Sequence, residues 1–387
     1  MAGRIPDFPE LLAALVGTPS ISCADPAIDM GNRAAAECLG GWLEDLGFDC
    51  RCLPVGPRDD KVNLIATLGD AEAGDGLALA GHLDTVPYDD NGWDSDPFTL
   101  TRRDSRYYGL GTTDMKGFLA LAADVARDYR ATDLTRPLVI LASADEECGM
   151  DGARALRDAG HRPARHAVIG EPTGLVPIRR HKGILMEAIR VTGHAGHSSN
   201  PAFGVNAIDG MRQVLNAVCR FRDELATRAP APGFPVDHAT LNTGVIHGGD
   251  SPNRIPARCE LQVDLRFPPG FDIAPLRDEL RAVAHEALAE SDCGIEFEEL
   301  FTGTPAMETA ADAEIVRAAE QLTGRTAAAV DFGTEGSFYN ALGMDTVILG
   351  PGDIDQAHQP NEFLGMDRID PMRDILHGLI GRFCLRP

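Results

Sequence analysis

Short apolar runs that end on histidine or acidic side chains place the strongest constraint on this chain. Leu77-Ala78-Leu79-Ala80 is followed by His82 and Asp84, Leu138-Val139-Ile140-Leu141 by Glu146 and Glu147, Ala167-Val168-Ile169 by Glu171, and Val347-Ile348-Leu349 by His358. Asp114 adds a fifth position, at the opening of a helix. In a parallel sheet covered by helices, ligands bind beyond the carboxyl ends of the strands, so runs far apart in sequence can deliver their ends to one crevice. The pattern predicts such a sheet, with a dinuclear metal site at its strand ends.

Repulsion decides what else must be present. If Asp84, Asp114, Glu146, Glu147 and Glu171 converge, each unscreened pair of carboxylates about 4 Å apart costs roughly 4 kcal/mol at an effective dielectric of about 20. Lys116 is the only cationic side chain close to these motifs in sequence. Divalent cations would offset the repulsion. Two imidazoles among carboxylates suit zinc or a similar first-row metal, because calcium and magnesium prefer sites built only of oxygen.

A length of 387 residues fits two domains better than one. With 44% hydrophobic and 24% charged residues, the composition is that of an ordinary soluble protein. The 35 basic against 59 acidic side chains, a net charge of −24, argue against nucleic acid and an anionic membrane surface as partners, since phosphate contacts need clustered Lys and Arg. Solubility accounts for most of this charge, and attraction of a cationic substrate is a lesser reading. Met1-Ala2-Gly3-Arg4-Ile5-Pro6-Asp7 shows no apolar signal segment, and no run is long enough to span a bilayer, so a cytoplasmic protein is expected. The nine cysteines form no zinc-finger spacing or disulfide framework. Cys50 and Cys52 read as two side chains of one packed strand face, and Cys148 as a small buried filler.

Leu39, Trp42, Leu43 and Leu46 fall at helical spacing before Gly47, which predicts an amphipathic helix with a glycine stop. Strands near 63–68, 77–80, 138–142 and 166–169, with a helix over 115–129, predict a mainly parallel sheet with helices on both faces. From residue 183 the texture changes. A strand over 184–191, a helix carrying Ile208, Met211, Leu215, Val218 and Leu225, a strand over 240–246, a strictly alternating strand over 257–266, a helix over 273–289 and a strand over 295–300 give a β-α-β-β-α-β order. That order is the ferredoxin-like pattern. The expected organisation is a catalytic metal-binding domain over 1–182, an inserted α+β lid over 183–299, and a return to the first domain over 300–387 through a helix over 311–322, a strand over 346–349 and a helix over 371–383.

Taken singly, each motif has a plain structural reading. His82-Leu83-Asp84 reads as a turn histidine with a surface aspartate, Glu146-Glu147 as a solvated loop, Asp114 as a helix N-cap, and Glu171 and His358 as loop residues. Their joint occurrence at strand ends favours a site. Amide hydrolysis on a metal also explains the adjacent glutamates, because it needs ligands and one unligated carboxylate that takes a proton from water and returns it to the leaving amine. Asp84, two residues from His82, is placed to accept a hydrogen bond from the second ring nitrogen and orient the imidazole. Gly109-Leu110-Gly111-Thr112-Thr113-Asp114 has an aspartate where a dinucleotide fingerprint needs its third glycine, and no Walker lysine follows. No Gly-x-Ser-x-Gly occurs, so a serine hydrolase is unsupported.

Six segments together resemble the family of dinuclear zinc amidohydrolases that includes acetylornithine deacetylases, succinyl-diaminopimelate desuccinylases, aminoacylases and a glutamate-releasing carboxypeptidase. They are Gly81-His82-Leu83-Asp84-Thr85-Val86-Pro87, Gly109 to Gly117, Asp145-Glu146-Glu147, Gly170-Glu171-Pro172-Thr173, Gly193-His194-Ala195-Gly196-His197-Ser198-Ser199 and His358-Gln359-Pro360-Asn361-Glu362. The resemblance implies two Zn2+ ions, with Co2+ able to substitute. Asp114 would bridge them, His82 and Glu171 would complete one, and Glu147 and His358 the other. It further implies Glu146 as general base and acid, Asp84 as support for His82, and a cis peptide bond at Asp114–Met115. His197 resembles a lid histidine that reaches the partner subunit's site in dimeric relatives and stabilises the oxyanion, so a homodimer through the lid is expected; on residues alone it is a turn residue in a Gly-Ser loop. Asn253 and Arg266 resemble lid residues that hold the substrate's α-carboxylate, while Arg266 is equally well the polar member of a half-buried strand.

Within the family, Trp93 to Phe98, Phe332-Gly333-Thr334-Glu335 and Gly350 to Pro360 resemble the acetylornithine deacetylase branch. The implied reaction is N2-acetyl-L-ornithine plus water to L-ornithine and acetate, a step of arginine biosynthesis, with Glu335 facing the cationic side chain. Other N-acyl amino acids (as for an aminoacylase or a desuccinylase), a dipeptide, and a non-catalytic metal-binding protein on the same fold are the alternatives.

Overall fold

The computed structural model describes residues 5–71, 75–89 and 91–385, so Met1–Arg4 of the N-terminal stretch lie outside it. The chain divides into two compact units. The first runs to Arg179, continues over Glu308–Ala328 and resumes at Thr334; the second holds Arg180–Met307 and Ala329–Gly333.

The first unit is built on the sheet that the apolar runs predict. Six strands of this nine-stranded sheet lie in the order Asp49–Val55, Arg58–Leu68, Leu138–Ser143, Leu77–His82, His166–Ile169, Asp345–Ile348. The last four pair in parallel, and the hairpin Asp49–Val55/Arg58–Leu68 joins antiparallel at one side. Leu77–His82, Leu138–Ser143 and His166–Ile169 are buried at every residue, because a parallel sheet has both faces covered; that is why they read as continuous apolar runs. The helix Lys116–Ala126 is likewise buried along its whole length. A three-stranded sheet of Thr101–Arg103, Arg106–Tyr108 and Phe363–Gly365 brings the segment after His358 beside the stretch that leads to Asp114.

The second unit has the ferredoxin-like arrangement. Its antiparallel strands lie in the order Thr240–Gly248, Arg258–Phe267, Gly183–Thr192, Gly294–Thr304, with the helices Ala207–Arg228 and Ile273–Glu286 between them in sequence. Cys259, Leu261, Val263, Leu265 and Phe267 all point into its core, as the period-two alternation requires. A charged pair enters that core: Glu187 is fully buried and pairs with the buried Arg277 at 3.0 Å and with Arg281. The unit is larger than residues 183–299. The strand Gly294–Thr304 runs on past 299, and the returning peptide is tied to the unit's first strand, with Lys182 N donating to Val330 O at 3.3 Å and Lys182 Nζ pairing with Asp331 at 3.0 Å.

Among the described residues, no helix is long and apolar enough to cross a membrane.

Candidate metal centre

The strand ends do converge. His82 closes Leu77–His82 and turns Nε2 to within 3.0 Å of Asp114 Oδ1. The other oxygen of Asp114 lies 3.4 Å from His358 Nε2, so the two oxygens of one carboxylate each face a different imidazole. His358 Nε2 is also 3.0 Å from Glu147 Oε2, and His82 Nε2 is 3.9 Å from Glu171 Oε1. Ligand atoms of His82, Asp114 and Glu147 lie within 4.8 Å of one another, and so do those of His82, Glu146 and Glu171. Asp114, His82 and Glu171 are buried, while His358 is half exposed. The Asp114–Met115 peptide bond is cis.

The cluster's electrostatics show how strongly it calls for positive charge. Burial first, and then the neighbouring Glu171 carboxylate, push the Glu146 carboxyl well above the usual range. Burial and Asp114 raise Glu171 and Glu147 in the same way. Burial opposes the ionised form of Asp114 too, yet hydrogen bonds from His358 and His82 outweigh it and hold that carboxyl low. Hydrogen bonds to Asp114 and Glu147 raise His358 to about 10. Acids that resist ionising beside imidazoles that hold protons are what a crowded carboxylate cluster does when protons are its source of positive charge. A divalent cation supplies that charge more compactly, and the donor set of two imidazoles and several carboxylates fits zinc. Glu171 Oε1, buried with no hydrogen-bond partner among the described residues, faces this demand directly.

Three sequence-derived positions take up unexpected contacts. Asp84 does orient His82, but through its main chain: His82 Nδ1 donates to Asp84 O at 3.0 Å, while the Asp84 carboxylate is 3.7 Å away. The carboxylate instead accepts from Glu147 N at 3.0 Å, because the turn after the strand brings the carbonyl to the ring first. That contact keeps a proton on Nδ1, so Nε2 is the nitrogen that would turn its lone pair to a metal once the proton it shares with Asp114 is displaced. Glu335 is wholly buried, with Oε2 accepting from Tyr339 OH at 3.3 Å, so a substrate ammonium reaches it only if that cover opens. Burial raises its carboxyl to about 7. In the second unit, Arg266 is engaged by Asp264 at 2.9 Å on its own strand. His197 and Asn253 are neighbours there: Gly196–His197 pairs with Arg254–Ile255, and Ser198 N donates to Asn253 O at 3.1 Å. His197 itself is exposed, with Nδ1 2.7 Å from Ser199 Oγ.

A profile described as "Peptidase family M20/M25/M40" matches residues 78–382. The chain belongs to this family. It is 46% identical over 388 residues to the acetylornithine deacetylase of Yersinia pseudotuberculosis serotype O:1b, covering 99% of both chains. It is 44% identical over 381 residues to that of Pasteurella multocida, covering 98% of this chain and 99% of the relative. Solved M20 structures share the fold. A metallo-carboxypeptidase of Sulfolobus solfataricus superposes with a TM-score of 0.76 at 18% identity, covering 97% of this chain and 99% of the other. A dinuclear metal-binding peptidase of Bacillus subtilis gives 0.65 at 16%, covering 96% of each. The M20 chain is thus a metal-dependent hydrolase with an α/β catalytic fold and a second, ferredoxin-like unit.

Around the M20 ligand set stand supporting residues, of which Lys61, Asp29 and Ser22 belong to no motif. Lys116 is the nearest cation in sequence, but Lys61 pairs with Asp145 at 2.5 Å and with Asp29 at 2.9 Å, and Ser22 Oγ donates to Asp145 at 2.7 Å. This network anchors the turn that presents Glu146 and Glu147, with Asp145 itself at φ 58. Lys116 is buried and donates to Leu15 O and Thr18 O, at 3.0 and 2.9 Å. Glu362 holds the stretch before Asp114. No local signal marks Lys61, since 84 residues separate it from Asp145.

Proposed function

We propose that the protein removes the acetyl group from N2-acetyl-L-ornithine, releasing L-ornithine and acetate on the way to arginine. The observation that carries this reading is the likeness to curated acetylornithine deacetylases over nearly the whole chain, at 44–46% identity in the relatives cited above. The ligand geometry supports it. Asp114 would be shared between two zinc ions, or cobalt ions in their place; His82 and Glu171 would hold one, and Glu147 and His358 the other. Bound cations of this kind polarise an amide carbonyl and make water easier to deprotonate.

The remaining work falls to side chains of this chain. Glu146, beside the ligand Glu147 but not needed to complete either set, takes the proton from water and returns it to the leaving amine nitrogen. Asn253 and Arg266 hold the substrate's α-carboxylate, for which Arg266 exchanges Asp264 as partner. His197 stabilises the oxyanion in the partner subunit's site. We place the enzyme in the cytoplasm, acting on a small N-acyl amino acid and not on nucleic acid or membrane.

A substrate panel tests the assignment. Turnover per unit KM on acetylornithine should exceed that on acetylmethionine and on succinyl-diaminopimelate by roughly 10²-fold, and a preference for either of the latter would overturn it. On the same panel, Glu335→Gln should raise KM for acetylornithine about tenfold, the equivalent of one lost ion-pair increment of about 1.4 kcal/mol, and leave acetylmethionine unchanged. Equal changes on both would assign Glu335 to packing instead.

A homodimer through the lid is supported by the edge strand Thr240–Gly248, whose Ile246 is 53% exposed, and by Ile208, 43% exposed. Sedimentation should give twice the chain mass, and Ile246→Lys should shift it to that of the single chain. A wild-type protein that sediments as a single chain would rule out a His197 acting across subunits.

A further inference from the structure

Glu362 carries a buried carboxylate, 2% exposed, that accepts hydrogen bonds from three backbone N–H groups of one loop. Gly111 N donates to Oε2 at 2.9 Å, and Thr113 N and Asp114 N donate to Oε1 at 2.7 and 3.1 Å. Two more bonds lace the same segments together: Gly109 N to Glu362 O at 3.1 Å, and Thr113 Oγ1 to Phe363 O at 2.8 Å. The loop is also confined from behind. A Cβ at Gly111, whose φ is +80, would meet Thr85 Cγ2 at 2.9 Å and Lys116 Cδ at 3.1 Å.

The last of the three N–H groups belongs to Asp114, the residue whose oxygens face both His82 and His358. Glu362 also lies four residues after His358, so one short segment supplies an imidazole and the acceptor that holds the opposing carboxylate's backbone. We infer that Glu362 is a positioning residue that sets the spacing between Asp114 and His358, and through it the metal affinity of the bridged pair. This rests on the reading of Asp114 as the bridging ligand. Ligand orientation by hydrogen-bonded neighbours is a general property of metal sites, and its loss costs about 10–100-fold in affinity.

Glu362→Gln tests it. The amide oxygen still accepts from Thr113 and Asp114, but the NH2 group faces the Gly111 N–H, donor against donor. Cobalt affinity, read by competition with a chromophoric chelator, should fall about 10–100-fold, and the visible spectrum of the cobalt-loaded protein should change. Cobalt affinity and spectrum equal to wild type would overturn the inference, whatever the melting temperature does. If Glu362→Gln does not fold, Glu362→Asp keeps the charge and withdraws the acceptor from the three N–H groups by one methylene; a fall of several-fold in cobalt affinity is expected, and no fall overturns the inference. Neither readout uses turnover, so a failure on acetylornithine would sink the proposed substrate and leave this result standing.

Discussion

Glu146→Ala should lower kcat by about 10²–10⁴-fold, the range that a positioned acid–base group contributes, while zinc content stays at the wild-type level. The ligand sets assigned to the two ions omit Glu146: His82, Glu171 and Asp114 complete one, and Glu147, His358 and Asp114 the other. The neighbouring Glu147 is fixed by its own backbone, since its N–H donates to the Asp84 carboxylate at 3.0 Å. The turn that carries both glutamates is anchored through Asp145 to Lys61 and Ser22. Truncating Glu146 therefore removes a proton carrier from an otherwise braced site. The opposite assignment is close by, because a carboxylate oxygen of Glu146 lies within 4.8 Å of the donor atoms of His82 and Glu171. Loss of metal in the Ala variant would mean that Glu146 is a ligand and that the two glutamates exchange roles. Glu146→Gln separates volume from proton transfer, and its kcat should fall as far as that of Ala.

Stripping the cations with a chelator should abolish turnover, and adding back zinc or cobalt should restore it. The same treatment should lower the thermal midpoint. Ions held at a free concentration about 1,000 times their dissociation constant stabilise the folded chain by about 4 kcal/mol, which corresponds to a shift of about 10 °C for a catalytic unit of this size. The direction follows from the cluster itself. Without cations, Glu146, Glu147 and Glu171 resist ionisation through burial and mutual repulsion, so the metal-free fold carries a cost that binding relieves. Full activity in protein shown to be metal-free would refute the metal-dependent reading. Metal that binds and stabilises without any turnover on the panel would instead favour a non-catalytic binding protein on this fold.

The parallel strands were legible because a sheet covered on both faces leaves no polar position in Leu77–His82 or Leu138–Ser143 except at the end that bears chemistry. The lid strand Arg258–Phe267 was legible for the opposite reason, since one buried and one open face impose a period of two. Of the hairpin strand Asp49–Val55 only the Cys50/Cys52 face was legible, and the three-stranded sheet around Phe363–Gly365 was not, because short, half-exposed strands carry little periodic signal.

The amino-acid sequence by itself determined the two-unit plan and the candidate ligands, because metal hydrolysis demands particular donor types and a parallel sheet dictates where they stand. Only the tertiary structure decided how those donors are held. Asp84 reaches His82 through a carbonyl, Lys61 meets Asp145 across 84 residues, and Glu362 grips Gly111 across 251. Backbone N–H and C=O groups are the same at almost every residue, so the first and last of these contacts leave no mark in the side-chain pattern, and the Lys61–Asp145 pair, made between side chains, is too distant in sequence for a local pattern to show.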